Sequence, residues 1–171
     1  MSIGGQNESE QKVYRLTPEG YANYTEQLEY LRTVKRKEIA DYIHEAKEAG
    51  DISESSAYED AKNEQAMLEG KIRQLEGLLA VAQIMTADMH DDVQGAPVVR
   101  IGMQVDLTSS SGTNRVFKIV ETFEADPKMG LISDQSPVGK ALMGHKEGDV
   151  VEVSTPGGVT TYTIRSIRSM F

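Results

Sequence analysis

Residues 46–62 read AKEAGDISESSAYEDAK. The stretch lies between two long segments with helical periodicity, so its reading decides the architecture. Gly50 is a natural stop for the first helix, because a glycine just past a helix end takes the left-handed conformation at no steric cost. Asp51 with Glu54 three residues later forms a capping-box variant for the helix that follows. Ser56-Ala57-Tyr58-Glu59 offers a second such box one turn on. So short a connection makes neighbouring antiparallel helices the natural arrangement.

Upstream, Thr17-Pro18-Glu19 is a helix start, with Thr17 as N-cap, Pro18 at the first position and an acid beside the positive end of the dipole. Tyr21, Tyr24, Leu28 and Leu31 follow at coiled-coil spacing. The seam slips after Leu31 and resumes at Ile39, Ile43 and Ala46, the mark of a stutter within one helix. Downstream, Ala61, Leu68, Ile72, Leu75, Leu79 and Ala82 keep the rhythm, with Gln65 as the polar member. About 30 residues at 1.5 Å each give a rod of roughly 45 Å. Two helices alone bury little apolar surface, so the rod must be rooted in something or paired with a partner.

From about Val98 the period changes to two. Val98, Ile101, Val105 and Leu107 read as one short strand, residues 116–120 as another, residues 150–153 as a third, and Tyr162, Ile164 and Ile167 as a fourth. Residues 109–112 and 155–158 carry turn chemistry, and Ser136-Pro137 opens one short helix. The chain is therefore expected to be α+β. Residues 1–12 form a flexible tail, 13–87 an antiparallel coiled-coil hairpin with an acidic tip at 50–56, 88–97 a linker, and 98–171 a small α+β domain.

The 171-residue chain carries a net charge of −9 and has no cysteine. Disulfides and cysteine metal centres are excluded, and a reducing, cytoplasmic setting fits. The longest apolar run, Leu78-Leu79-Ala80-Val81-Ala82, is too short to span a bilayer, and the acidic N-terminus has no apolar core of a signal peptide. No membrane role is expected. An acidic total also argues against gripping a phosphate backbone by charge alone.

Asp51 and Glu54 at i, i+3 share a face, with Cβ atoms about 5–6 Å apart if the turn is helical. They can address one cation, but magnesium wants an octahedral shell and takes one or two carboxylates beside waters and phosphates. His44 lies about two turns back along the rod, while His90 and His145 fall in the linker and the second domain. The tip can thus complete a metal site that a partner begins, and the plain capping role stands beside that reading.

The sequence resembles the Gre family of bacterial transcript cleavage factors, its GreA type more than its GreB type. The likeness is carried by Leu16-Thr17-x-Glu19-Gly20, Arg36-x-Glu38-Ile39 and Glu45-Ala46-Lys47-Glu48-x-Gly50-Asp51-Ile52-x-Glu54. It continues through Tyr58, Ala61-Lys62-x-Glu64-Gln65, Glu69-Gly70-x-Ile72, Leu131-Ile132-Ser133, residues 136–144, Gly148-Asp149 and residues 155–158. The resemblance implies a bacterial RNA polymerase partner, whose secondary channel receives the coiled coil while an FKBP-like C-terminal domain docks at the rim. It implies that Asp51 and Glu54 help the polymerase cut the 3′ end of backtracked RNA, sharing its second Mg²⁺. No tightly bound cofactor and no second copy of the chain is called for. Position by position it implies RNA contacts for Lys47 and Lys62, and polymerase docking for Ser133, Gln135, Ser136 and Pro137. The factor on this reading is no enzyme; it stimulates one. Where the family reads Glu-Asn-Ala-Glu-Tyr, this chain has Glu54-Ser55-Ser56-Ala57-Tyr58. That departure keeps open an inhibitory paralogue that fills the channel without promoting cleavage. A prolyl isomerase built on Phe117, Phe123, Tyr162 and Phe171, and a dimerising coiled-coil adaptor, are the rival classes.

Overall fold

Thr17 has the extended backbone of an N-cap, its hydroxyl accepts the Gly20 amide, and Pro18 follows at the first helical position. The computed structural model describes residues 13–48, 56–90 and 95–171. The tail, the tip residues Asp51 and Glu54, and the middle of the linker lie outside these. Helix α1 (Pro18–Tyr30) passes through a π-helical turn, Leu31–Lys35, into α2 (Arg36–Glu48) without a break. Helix α3 (Ser56–Ala80) returns.

The π turn explains the slip in the seam. Continuing the heptad from Leu31 would bring the next positions round one residue too early; the wide turn absorbs one extra residue and returns Ile39, Ile43 and Ala46 to the side that faces α3. The expected stutter is thus concentrated in a single turn. Leu28, Leu31, Leu68, Ile72 and Leu75 form the buried core of the arm, with Tyr24, Ile39 and Leu79 packed at its margin. Toward the far end the buried residues are the small Ala46 and Ala61, so the helices approach closely there. At the near end Leu78 is buried and Leu79 only partly, a one-residue shift from the expected seam. Arg36 grips Glu69 with two bonds of 2.8 and 2.9 Å, and Arg32 pairs with Glu76. Exposed pairs of this kind stabilise by less than about 1 kcal/mol each; they fix which way α3 runs.

The arm is rooted by elements too short to show periodicity. Strand β1 (Tyr14–Leu16) lies parallel to β2 (Ala82–Ile84), in the register Tyr14↔Ala82 to Leu16↔Ile84. The Met85 amide donates to the Leu16 carbonyl at 2.8 Å, and both side chains are almost fully buried. Burying a side chain of this size contributes about 1.5–3 kcal/mol.

The second part is a five-stranded sheet in the order β5-β4-β3-β7-β6. Its strands are β3 (Met103–Ser109), β4 (Asn114–Val120), β5 (Leu131–Ser133), β6 (Val150–Thr155) and β7 (Gly158–Ser169). All neighbours are antiparallel except β4 and β5. Strand β3 alternates buried and half-buried residues along its length, as one covered face requires. Val99, Val105, Leu107, Ile119, Leu142, Val151 and Ile164 lead the core, and helix α4 (Pro137–Leu142) closes it. The first strand begins at Met103, not at Val98: Gly102 at φ 87° turns the chain, and Val98 makes only an isolated bridge to Lys146. The molecule is α+β, a helical arm on a curled-sheet domain.

Candidate functional site

Arg32–Glu76 and Arg36–Glu69 pair rising with falling numbers, so the ascending helix and α3 run antiparallel, with Glu48 and Ser56 at the same end of the arm. Lys47 is exposed there. Lys62 is exposed too and donates to Gln65 at 3.0 Å. Glu45, Glu48, Glu59 and Asp60 surround them in solvent, with His44 3.3 Å from Glu48. Among the described residues no three His, Asp or Glu side chains gather into a group able to hold a metal ion.

The Ser133-to-Pro137 turn is built by its own hydroxyls. Ser133, 8% exposed, shares a 2.9 Å bond with Thr122 and accepts the Gln135 amide at 3.0 Å. Ser136 caps α4, accepting the Gly139 amide at 3.0 Å and donating to the Ser133 carbonyl at 2.7 Å. Gly139 is required here, since a Cβ would lie 1.9 Å from the Ser133 carbonyl oxygen. Of the four residues implied for docking, Gln135 and Pro137 face solvent, whereas both serines are engaged in holding the turn. Asp134, which the sequence reading passed over, accepts from Gln135 through one oxygen; the other is buried without a partner.

A second unforeseen feature joins the two parts. The turn Thr122–Glu124 presses on the start of α1. The Glu124 carboxylate accepts the Thr17 amide at 3.0 Å and the Thr17 hydroxyl. The Tyr24 hydroxyl donates to the Phe123 carbonyl, and Tyr14 meets the Phe123 ring edge-on at 4.7 Å. Burial pushes the Glu124 carboxyl above its ordinary range, against the opposing pull of the two Thr17 bonds. Burial, followed by the charge of Glu124, likewise raises the Tyr24 phenol. The signal was a Gly-x-x-x-Tyr spacing after the cap, but its partner lies about a hundred residues away, beyond any local pattern.

The rival readings meet specific geometry. Phe117 and Tyr162 pack edge to face against the sheet core, while Phe123 and Phe171 line the cleft at the root of the arm, so the four aromatics do not form one pocket. The arm's apolar seam is buried by the chain's own second helix.

Residues 14–84 match the family model for the transcription elongation factor N-terminal region. Residues 94–169 match the model for the GreA/GreB transcription elongation factor C-terminal region. The chain belongs to the GreA/GreB family of transcription elongation factors. Among its relatives within that family, transcription elongation factor GreA of Chloroflexus aurantiacus is 45% identical over 159 residues, covering 92% of this chain and 99% of the relative. The Acetivibrio thermocellus GreA is 47% identical over 154 residues, covering 90% and 94%. The crystal structure of GreA factor homolog 1 from Thermus thermophilus is 32% identical, covers 92% of this chain and all of the other, and has a TM-score of 0.41. As a family member this chain is a transcription elongation factor. Among the described residues no helix is long and apolar enough to cross a membrane.

Proposed function

We propose that the chain stimulates transcript cleavage by bacterial RNA polymerase. The arm enters the secondary channel, the sheet domain docks at the rim, and Asp51 and Glu54 reach the 3′ end of backtracked RNA at the polymerase active site. Cleavage there releases arrested complexes. One observation supports this above the others: both family matches fall on a chain whose ascending helix is paired along α3, a length of about 37 Å.

The donor chemistry of Asp51 and Glu54 suits magnesium, a hard cation that takes one or two carboxylates with waters and phosphate oxygens. Two carboxylates do not fill an octahedral shell, so the remaining ligands belong to the polymerase and its RNA. When bound, such an ion supplies Lewis-acid stabilisation of phosphoryl oxygens and a more acidic water. Asp51 would hold the ion, directly or through a water, and a carboxylate about 4 Å from a cation would contribute up to about 4 kcal/mol before desolvation. Glu54 would assist it and orient the attacking water. Lys47 and Lys62, both exposed, bring positive charge to RNA phosphate. Gln135 and Pro137 meet the rim, and Ser133 and Ser136 hold their turn in shape. The factor acts as a cytoplasmic monomer and itself makes and breaks no bond.

The test is cleavage of RNA in a stalled, backtracked polymerase complex, comparing the parent with Asp51→Ala and Glu54→Ala. Both variants bind polymerase like the parent and lose most stimulation, with Asp51→Ala at least about a hundredfold slower. Equal cleavage by all three would leave only the capping role.

A further inference from the structure

Residues 86–97 join the arm to the sheet domain, and a single covalent connection does not set an angle. Side-chain contacts between the two parts gather where the Thr122–Glu124 turn meets α1. Glu124 is suited to setting an angle in a way most side chains are not. Its two oxygens take two donors from one residue, the Thr17 amide and the Thr17 hydroxyl, so the contact resists twisting as well as separation. The Thr17 hydroxyl gives its proton to Glu124 and accepts the Gly20 amide at 2.9 Å. The group that caps the helix is therefore the group that the other domain holds. The carboxylate also faces the positive end of the α1 dipole. Gly20 leaves the space: a Cβ there would stand 1.6 Å from a Glu124 oxygen. Tyr24, one turn further along, fixes the helix direction through its bond to the Phe123 carbonyl.

The lever is long. From Pro18 to Glu48 the arm extends about 45 Å, and a tilt of about 10° at the root moves its far end by about 8 Å. Ligands of a magnesium ion must stand within a few tenths of an ångström of about 2.1 Å, and misplacing a reacting group by about 1 Å can cost a hundredfold in rate.

We propose that Glu124 is the positioning residue that fixes the arm's direction relative to the sheet domain, and through it the point at which the tip acids arrive. This rests on the cleavage reading above. Thr17 and Gly20 are the receiving half of the same lock. The arm core and the sheet core are separate clusters, and the contact lies outside both.

The chain has no cysteine, so a single pair of introduced thiols can carry spin labels. Ala40→Cys and Glu152→Cys, both at exposed positions, report the arm-to-domain distance in the full chain. This pair is compared in otherwise unchanged protein, in Glu124→Ala, in Glu124→Gln and in Gly20→Ala, which drives a methyl group into the lock from the opposite side. Gly20→Ala also raises helix propensity, so a misfolded helix does not explain its effect. The distance distribution broadens in Glu124→Ala and Gly20→Ala, and returns part of the way in Glu124→Gln, which keeps one acceptor oxygen. In the cleavage assay the first two variants lower the rate at saturating factor at least about tenfold, with the half-saturating concentration changed less than about threefold. An unchanged distance distribution, or a loss confined to the half-saturating concentration, overturns the proposal. A parent that fails to stimulate cleavage refutes the cleavage reading instead, and the distance measurement then still decides whether Glu124 sets the angle.

Discussion

Gly139→Ala should destabilise the sheet domain, although the same exchange in most helices is favourable. The added Cβ would stand 1.9 Å from the Ser133 carbonyl oxygen and 3.0 Å from the Asp134 Cα. Ordinary contact needs roughly 3.4 Å or more, so α4 and the Ser133 strand end must separate by over about 1 Å. Separation breaks the cap from the Gly139 amide to Ser136, about 1 kcal/mol, and the Ser136 bond to the Ser133 carbonyl, about another. Lost packing of buried Leu142 against the core adds to this, and improved helix propensity offsets up to about 1 kcal/mol. The net loss comes to about 2–3 kcal/mol. Native-state hydrogen exchange at the slowest amides of β3 and β7 reports opening of the sheet domain alone. Those amides should exchange about 30- to 150-fold faster. Gly77→Ala on the exposed side of α3, where nothing lies within 4 Å of the added methyl, should instead slow exchange in the arm by about fivefold. A Gly139→Ala protein as stable as its parent would refute the close approach of α4 to β5.

Ile72→Ala, at the most deeply buried position of the arm core, should cost about 2–5 kcal/mol and lower the arm's thermal transition measured by circular dichroism. Two carboxyls should respond to acid in opposite senses. The Arg36 hydrogen bond holds Glu69 below the usual carboxyl range, so its contribution is present at neutral pH and is lost as pH falls through that lowered value; Arg36→Gln should abolish the effect in a carboxyl-resolved NMR titration. Burial raises Glu124 against the opposing pull of its two Thr17 bonds, so the stability that comes from burying a neutral carboxyl there should be present below the ordinary glutamate range and be lost as pH climbs through the raised value, read from the pH dependence of unfolding in the parent against Glu124→Gln.

The arm was legible because heptad spacing survives without knowledge of its partner: Leu28, Leu31, Ile43, Leu68 and Ile72 are apolar at the right intervals and are buried. The slip after Leu31 was also legible, but not its remedy, since an α-helix that shifts and one that widens give the same string of letters. The β1 and β2 strands were invisible, being three residues each and paired across the whole length of the hairpin. Val98 and Ile101 were misassigned because apolar residues just ahead of the turn at Gly102 look like the start of a strand. Ser133 and Ser136 were noticed as a motif; that their hydroxyls point inward is a property of the folded turn. Glu124 gave no signal, because an acid in a polar loop is ordinary until the helix it caps arrives from elsewhere in the chain.

The widened turn at Leu31–Lys35 carries a consequence for how such a projection can vary in length. Removing one residue there would close the widened turn to an ordinary one and leave the outer half in phase, whereas removing one residue from the regular helix just beyond it would rotate everything farther out by about 100° while shortening it by only about 1.5 Å. Ile39, Ile43 and Ala46 would then face water, and the outer half would lose its companion. Outside the widened turn, reach is therefore quantised: it can change only by whole repeats, about 10 Å at a time, inserted in both strands of the hairpin together.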